Sequence, residues 1–153
     1  MRPLRAVAAL AFAFLAACAS TQRSSNELSP AVADRAASQA VKMVGRPYRY
    51  GGASPAGFDC SGLVLFSYQQ AGLKLPRDTE HQRLASKPVR VASLKRGDLV
   101  FFDLEGKKNS HVGIYLGDGT FVHAPSSGKR VRTDRLDSAF WKKHLSEARR
   151  ING

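Results

Sequence analysis

Long apolar runs are missing from this chain. No stretch of eighteen or more hydrophobic residues occurs among its 153 residues, so the sequence predicts no membrane-spanning helix. Internal repeats and low-complexity tracts are also absent, which excludes solenoid and array architectures. The length suits one domain with one core rather than two. Acidic residues are scarce, with 12 Asp and Glu against 24 Lys and Arg, for a formal charge of +12. A surface of that sign is drawn to anionic polymers and lipid head groups. The basic residues between Arg77 and Arg150 form no dense run, so part of this charge is simply a solvated face. Cysteine is scarce too: there are two, Cys18 and Cys60.

What is present at the N-terminus explains one of them. Arg2 and Arg5 precede an apolar run from Ala6 to Ala17, the pattern of an export signal. The run ends in Leu15-Ala16-Ala17-Cys18, which resembles a bacterial lipobox, in which the cysteine is lipidated and becomes the new N-terminus. An ordinary secretory signal cut near Ala17 or Ala19 is the alternative. Either way the chain leaves the compartment that holds nucleic acid, so no nucleic-acid partner is expected. If Cys18 carries lipid, Cys60 has no disulfide partner in an oxidising compartment. A leftover cysteine in an exported chain is a candidate reactive thiol, or else a small buried hydrophobe.

Residues 19–28 are polar and Ser-rich and read as a tether. Ser29-Pro30 then offers a helix start. Val32, Ala36, Ala40 and Val44 recur at helical spacing up to Gly45, so the spacing predicts a helix over 30–44. Residues 45–58 hold four Gly and two Pro and read as loop. Asp59 can cap a helix opening at Cys60, ended by Gly72, with Leu63, Val64, Phe66 and Ala71 around its circumference. A short helix from Thr79 to Ala85 follows Asp78. Strands are expected at 89–91, 98–103, 111–116, 120–124, 130–133 and 147–151, with a helical turn around Trp141. Helices first and strands later predict an α+β domain with N-terminal helices packed on an antiparallel sheet.

The chemistry centres on Cys60. At a helix N-terminus, unpaired N–H groups and the helix dipole favour a thiolate, while the neighbouring Asp59 carboxylate opposes it. A cationic partner is therefore needed, and His111 and His123 are the candidates. A two-residue turn at Asp118-Gly119 would pair Ile114 with His123 and put the histidines on opposite faces. A three-residue loop with left-handed Gly119 pairs Gly113 with His123 instead. The histidines then share a face, about 7–8 Å apart on the diagonal, and the expectation is that this face is the one covered by the Cys60 helix. Three readings of Cys60, His111 and His123 stay open: a thiolate–imidazolium pair with an orienting histidine, a zinc site that lacks an obvious fourth ligand, or coincidence. His81 and His144 lie among charged residues and are expected at the surface.

Tyr48-Arg49-Tyr50-Gly51-Gly52, Asp59-Cys60-Ser61-Gly62, Gly97-Asp98-Leu99-Val100-Phe101-Phe102, His111-Val112-Gly113-Ile114-Tyr115 and Phe121-Val122-His123-Ala124 occur in that order. Together, with Pro76-Arg77 and the tail from Trp141 to Arg150, they resemble the NlpC/P60 family of cell-wall cysteine peptidases over residues 38–152. The resemblance implies a reduced papain-like fold over 30–153, behind a signal at 1–17 and a lipidated cysteine and tether at 18–29. It implies Cys60 as nucleophile, His111 as base and His123 as the residue that orients it. Tyr48 would help the Cys60 backbone hold an oxyanion, and Asp59 and Ser61 would line the substrate pocket. No metal or other cofactor is implied. The substrate would be the peptide stems of peptidoglycan, cut at the D-alanine–meso-diaminopimelate crosslink. Many relatives instead cut between γ-D-glutamate and diaminopimelate. A binding module that holds the wall without cutting it, and an acyl-transfer enzyme, are the rival functions. The expected state is a monomer held by its lipid anchor at the periplasmic face of an outer membrane, since Ala19 is not the Asp that often signals inner-membrane retention.

The anchor is testable directly. Cys18→Ser should move the protein from the membrane fraction to the soluble fraction, and the mature wild-type N-terminus should carry acyl mass. An unmodified mature N-terminus by mass spectrometry would contradict it.

Overall fold

The structure, a computed structural model, describes residues 28–153. The expected signal segment, Cys18 and all of the tether except Leu28 and Ser29 lie outside the described residues. The first helix, α1 (Pro30–Lys42), opens with Pro30 behind Ser29, where a missing N–H costs nothing. It ends two residues earlier than its spacing predicts and buries Ala36, Ala37 and Ala40. The glycine-rich stretch that follows holds a small hairpin of β1 (Ala53–Ser54) and β2 (Gly57–Phe58), too short for any periodicity to reveal. Helix α2 (Cys60–Gln70) starts at Cys60, and the Asp59 carboxylate caps it by accepting from the Gly62 N–H at 2.7 Å. Gly62 is needed there because a Cβ would lie 1.9 Å from the Gly52 carbonyl oxygen. Helix α3 (Thr79–Leu84) is capped in the same way by Asp78.

The rest of the chain builds one antiparallel sheet. Its strands are β3 (Ser86–Val89), β4 (Leu99–Leu104), β5 (Lys107–Gly117), β6 (Thr120–His123), β7 (Arg132–Arg135) and β8 (Leu145–Ile151), with the short helix α4 (Ala139–His144) before the last. The spatial order is β3-β8-β4-β5-β6-β7. The α+β architecture is thus as the order of patterns predicts, with shifted boundaries. The strand expected at 89–91 lies earlier, and Val91–Ser93 forms a 3₁₀ turn. Pro88 is tolerated inside β3 because β3 is an edge strand. The strand expected at 130–133 is displaced to Arg132–Arg135.

Alternation along the strands sorts side chains into two layers. Leu99, Phe101, Val112, Ile114 and Val122 face α1 and α2, with Leu63, Val64 and Tyr68 of α2. Val100, Phe102 and Phe121 face the other way and are covered by Leu136 and Trp141. Tyr68 ties the layers' edge by donating its hydroxyl to the Gly97 carbonyl at 2.6 Å.

The β5–β6 hairpin reaches the predicted register by a different turn. Ile114 pairs with Val122 and Tyr115 with Phe121, which sets Gly113 opposite His123. Gly117 pairs with Thr120, so the loop has two residues, not three. Asp118 and Gly119 both have positive φ (52° and 73°), as a type I′ turn requires. The register shift between Tyr115 and Gly117 is a bulge at Leu116, and its one extra residue restores the pairing that the two-residue loop alone would have lost.

Candidate active site

Cys60 occupies the first position of α2 and is half-buried. His111 lies on β5 and His123 at the end of β6, exposed by 4% and 0%. The two rings share a face, as the register requires. That face is not the one covered by α2: both rings sit in the layer of Phe102, Phe121 and Trp141. The expectation that they point under the Cys60 helix is therefore corrected. Val112, between them in the alternation, takes the helix-facing position. Cys60 and His111 nevertheless open into one cleft of about 360 Å³, lined also by Tyr48, Ser110, Ala124 and Pro125. The cleft lies where β6 stops at His123 while β5 continues back to Lys107.

The histidines are held rigidly. His111 Nε2 and His123 Nδ1 are 2.8 Å apart. His123 Nε2 lies 2.9 Å from Asp134 Oδ2. Arg132 Nε and Trp141 Nε1 donate to the same oxygen, at 2.9 and 3.1 Å. The Trp141 ring stacks on His111 at 5.7 Å and meets His123 edge-on at 4.9 Å. Gly113 makes room for this packing, since a Cβ there would come within 2.7 Å of the Phe121 ring and 3.3 Å of His123 Cβ.

On the other side of the cleft, Asp59 is consumed by structure. Arg77 grips its carboxylate with both nitrogens, at 3.0 and 2.7 Å, and also donates to Ser61 Oγ at 3.0 Å. The Gly51 N–H donates to Asp59 at 3.0 Å. Arg77 thus supplies the positive charge that offsets Asp59 beside the thiol. Asp59 and Ser61, expected to line the substrate pocket, are both bound to Arg77, so any contact they make with a ligand is shared with that guanidinium. Thr79, at the start of α3, places its hydroxyl 3.9 Å from Cys60 Sγ.

Burial pushes the Cys60 thiol up from its ordinary value, and the Asp59 charge adds to this. The Val112 and Ser61 N–H groups and the Thr79 hydroxyl oppose it without prevailing. Burial, reinforced by His123, pushes His111 down to about 3. Burial likewise pushes His123 down to about 4, against the pull of Asp134. These shifts disfavour charge on either resting group and so run against the thiolate–imidazolium pair, one of the three readings the sequence left open. Burial also raises the Tyr48 phenol, with Cys60 and Asp59 acting in the same sense, so Tyr48 keeps the proton it would donate.

Among the described residues, no group of three or more His, Cys, Asp or Glu is arranged to hold a metal. His81 is exposed and pairs with Asp78 at 2.8 Å. His144 is half-buried, its Nδ1 lying 2.8 Å from the Asp103 carbonyl, and so departs from the surface position expected of it. Sequence reasoning gave no role to Arg77, Thr79, Asp134 or Trp141. The Pro76-Arg77 and Trp141 segments carried a signal only as part of the ordered resemblance, and Asp134 carried none.

The sequence profile of the NlpC/P60 family matches residues 45–150. The chain is 40% identical to the Murein DD-endopeptidase MepH of Escherichia coli (strain K12), over 72% of this chain and 43% of that protein. It is 43% identical to the Bifunctional muramidase/DL-endopeptidase CwlT of Bacillus subtilis (strain 168), over 74% of this chain and 35% of that protein. The chain thus spans less than half the length of these relatives. A crystal structure of an NLP/P60 family protein from Staphylococcus aureus superposes with a TM-score of 0.73 and 36% identity, covering 87% of this chain and 45% of that one.

The buried histidines have a consequence for stability. Their folded pKa values lie below 6.5, so between about pH 6.5 and 4 the unfolded chain binds more protons than the fold does. Their contribution is intact above about pH 6.5 and is lost as pH falls, by about 1.4 kcal/mol per pH unit for each histidine. Denaturant unfolding at pH 7 and pH 4.5 should show a steep loss in the wild type and a clearly shallower one in the double variant His111→Gln/His123→Gln. Equal losses would contradict the assignment of neutral, buried rings.

Proposed function

The chain belongs to the NlpC/P60 family, and from that premise we propose that it is a peptidoglycan endopeptidase with Cys60 as nucleophile and His111 as general base. The observation that carries this reading is the shared cleft, with the Cys60 thiol and His111 opening into it and His123 anchoring the far nitrogen of His111. In the attack, the thiol proton passes to His111 as Sγ bonds to the carbonyl carbon of the stem peptide. Burial opposes charge on both groups, so transfer and attack are coupled and no resting ion pair is required. The oxyanion is held by the Tyr48 hydroxyl and the Cys60 backbone N–H at the start of α2, since the N–H groups of Gly62 and Leu63 are taken, Gly62 by the Asp59 carboxylate and Leu63 by the Asp59 carbonyl. His111 then gives its proton to the leaving amine, and the thioester remains on Cys60. Water, deprotonated by His111, attacks the thioester and restores the thiol.

The preferred substrate bond is the D-alanine–meso-diaminopimelate crosslink. The γ-D-glutamyl–diaminopimelate bond is the second reading, favoured by the match to a relative named as a DL-endopeptidase. The rival of a non-cutting wall-binding module is opposed by the presence of Cys60, His111 and His123 together. The excess of 24 basic over 12 acidic residues suits an anionic wall polymer. In the same reading the protein works as a monomer, needs no cofactor, binds no nucleic acid, and is held by lipid on Cys18 at the periplasmic face of an outer membrane.

Purified diaminopimelate-crosslinked peptidoglycan should yield peptide fragments whose masses identify the bond cut. Cys60→Ala and His111→Gln should each abolish release while the thermal transition survives. Tyr48→Phe should lower kcat roughly a hundred- to a thousandfold, the range for one oxyanion donor. Undiminished release by Cys60→Ala, with a chelator inhibiting the wild type, would overturn the cysteine mechanism in favour of a metal.

A further inference from the structure

Beyond the Cys60–His111–His123 set lies a carboxylate whose place in the hydrogen-bond chain dictates where protons reside. We infer that Asp134 is a positioning residue: by accepting from His123 it fixes the tautomers of both histidines and leaves the lone pair of His111 on Nδ1. The inference rests on the proposed role of His111 as base.

The argument is an accounting of donors. Burial disfavours the Asp134 charge, but the hydrogen bonds from His123 and Arg132 outweigh it and hold the pKa below the usual carboxylate value. An ionised carboxylate only accepts. His123 Nε2, 2.9 Å from Oδ2, must therefore carry a hydrogen. A neutral imidazole has one N–H, so His123 Nδ1 is bare and accepts. The 2.8 Å contact then requires the hydrogen to sit on His111 Nε2. His111 is neutral too, so its single proton is spent there and Nδ1 is basic.

The surroundings make this polarity depend on Asp134. The other groups on Oδ2 are Arg132 Nε and Trp141 Nε1, both donors. With the carboxylate removed, His123 Nε2–H would face donors and no acceptor. The reversed chain would then be favoured: bare His123 Nε2, His123 Nδ1–H donating to His111 Nε2, and the His111 proton on Nδ1. That state blocks the base. No sequence motif marks Asp134. It reaches His123 only because β6 and β7 pair His123 with Arg132 and Phe121 with Asp134, which sets the carboxylate on the diagonal of the ring.

Long-range ¹⁵N–¹H correlation of the imidazoles reads the tautomers without reference to turnover. In the wild type at pH 7 we expect His111 and His123 both protonated on Nε2. Asp134→Ala should shift His111 toward the Nδ1–H form and lower kcat about 10- to 100-fold, less than the loss of a general base, with KM little changed. Asp134→Asn keeps an acceptor oxygen and should retain the wild-type tautomers with a smaller loss, and the wild-type tautomers test the inference even where Asp134→Ala does not fold. Wild-type His111 protonated on Nδ1, or tautomers unchanged in folded Asp134→Ala, would overturn the inference. Predicted tautomers in a wild-type protein that releases no peptide would sink the proposed hydrolysis and leave the role of Asp134 standing.

Discussion

The 2.8 Å contact between His111 and His123 places the tightest demand on this fold. Two buried imidazoles can share one hydrogen only if their strands are in a single register, their rings lie on one face, and nothing between them takes up space. Each condition traces to particular residues. The bulge at Leu116 corrects the register that the Asp118-Gly119 turn would otherwise impose. Gly113 contributes no side chain where His123 and Phe121 pack. Phe102, Phe121 and Trp141 enclose the rings and keep water from competing for the shared hydrogen.

The same burial sets the style of chemistry. A charged imidazole is disfavoured in this layer, and a thiolate is disfavoured at Cys60. Burial therefore works against charge separation at rest, and the proposed proton transfer accompanies bond formation. The Cys60 side of the cleft follows a complementary rule. Asp59 is needed to cap α2, yet its charge acts against a thiolate one residue away. Arg77 offsets that charge with a two-pronged contact, and Gly51 N–H adds another donor. The conflict between capping and the thiol is reduced by Arg77 but not removed, since Asp59 still pushes the Cys60 thiol up.

Much of this was legible in the sequence, and what was not has physical causes. The helix at Cys60 followed from Asp59 and the apolar set behind it, and the α+β architecture from helical spacing giving way to runs such as Leu99–Phe102. The pairing of Gly113 opposite His123 was legible from glycine placement, although the turn that achieves it was misjudged, because a bulge leaves no mark in composition. The face of the histidines was misjudged for a related reason. Alternation shows that His111 and Val112 point apart, but only packing decides which of them meets α2. Asp134, Arg77 and Thr79 act through contacts between separate elements, set by strand pairing and packing. No local pattern announces them, and the two-residue strands β1 and β2 are too short for a period.

The proposed hydrolysis requires that the thiol of Cys60 form a covalent bond to the substrate under the control of His111. Acid quenching during turnover of a purified crosslinked stem-peptide dimer, followed by intact-mass and peptide mapping, tests it most directly. A mass increase equal to the acyl fragment is expected, as a thioester on Cys60. Full-rate fragment release from protein whose Cys60 has been alkylated would contradict it.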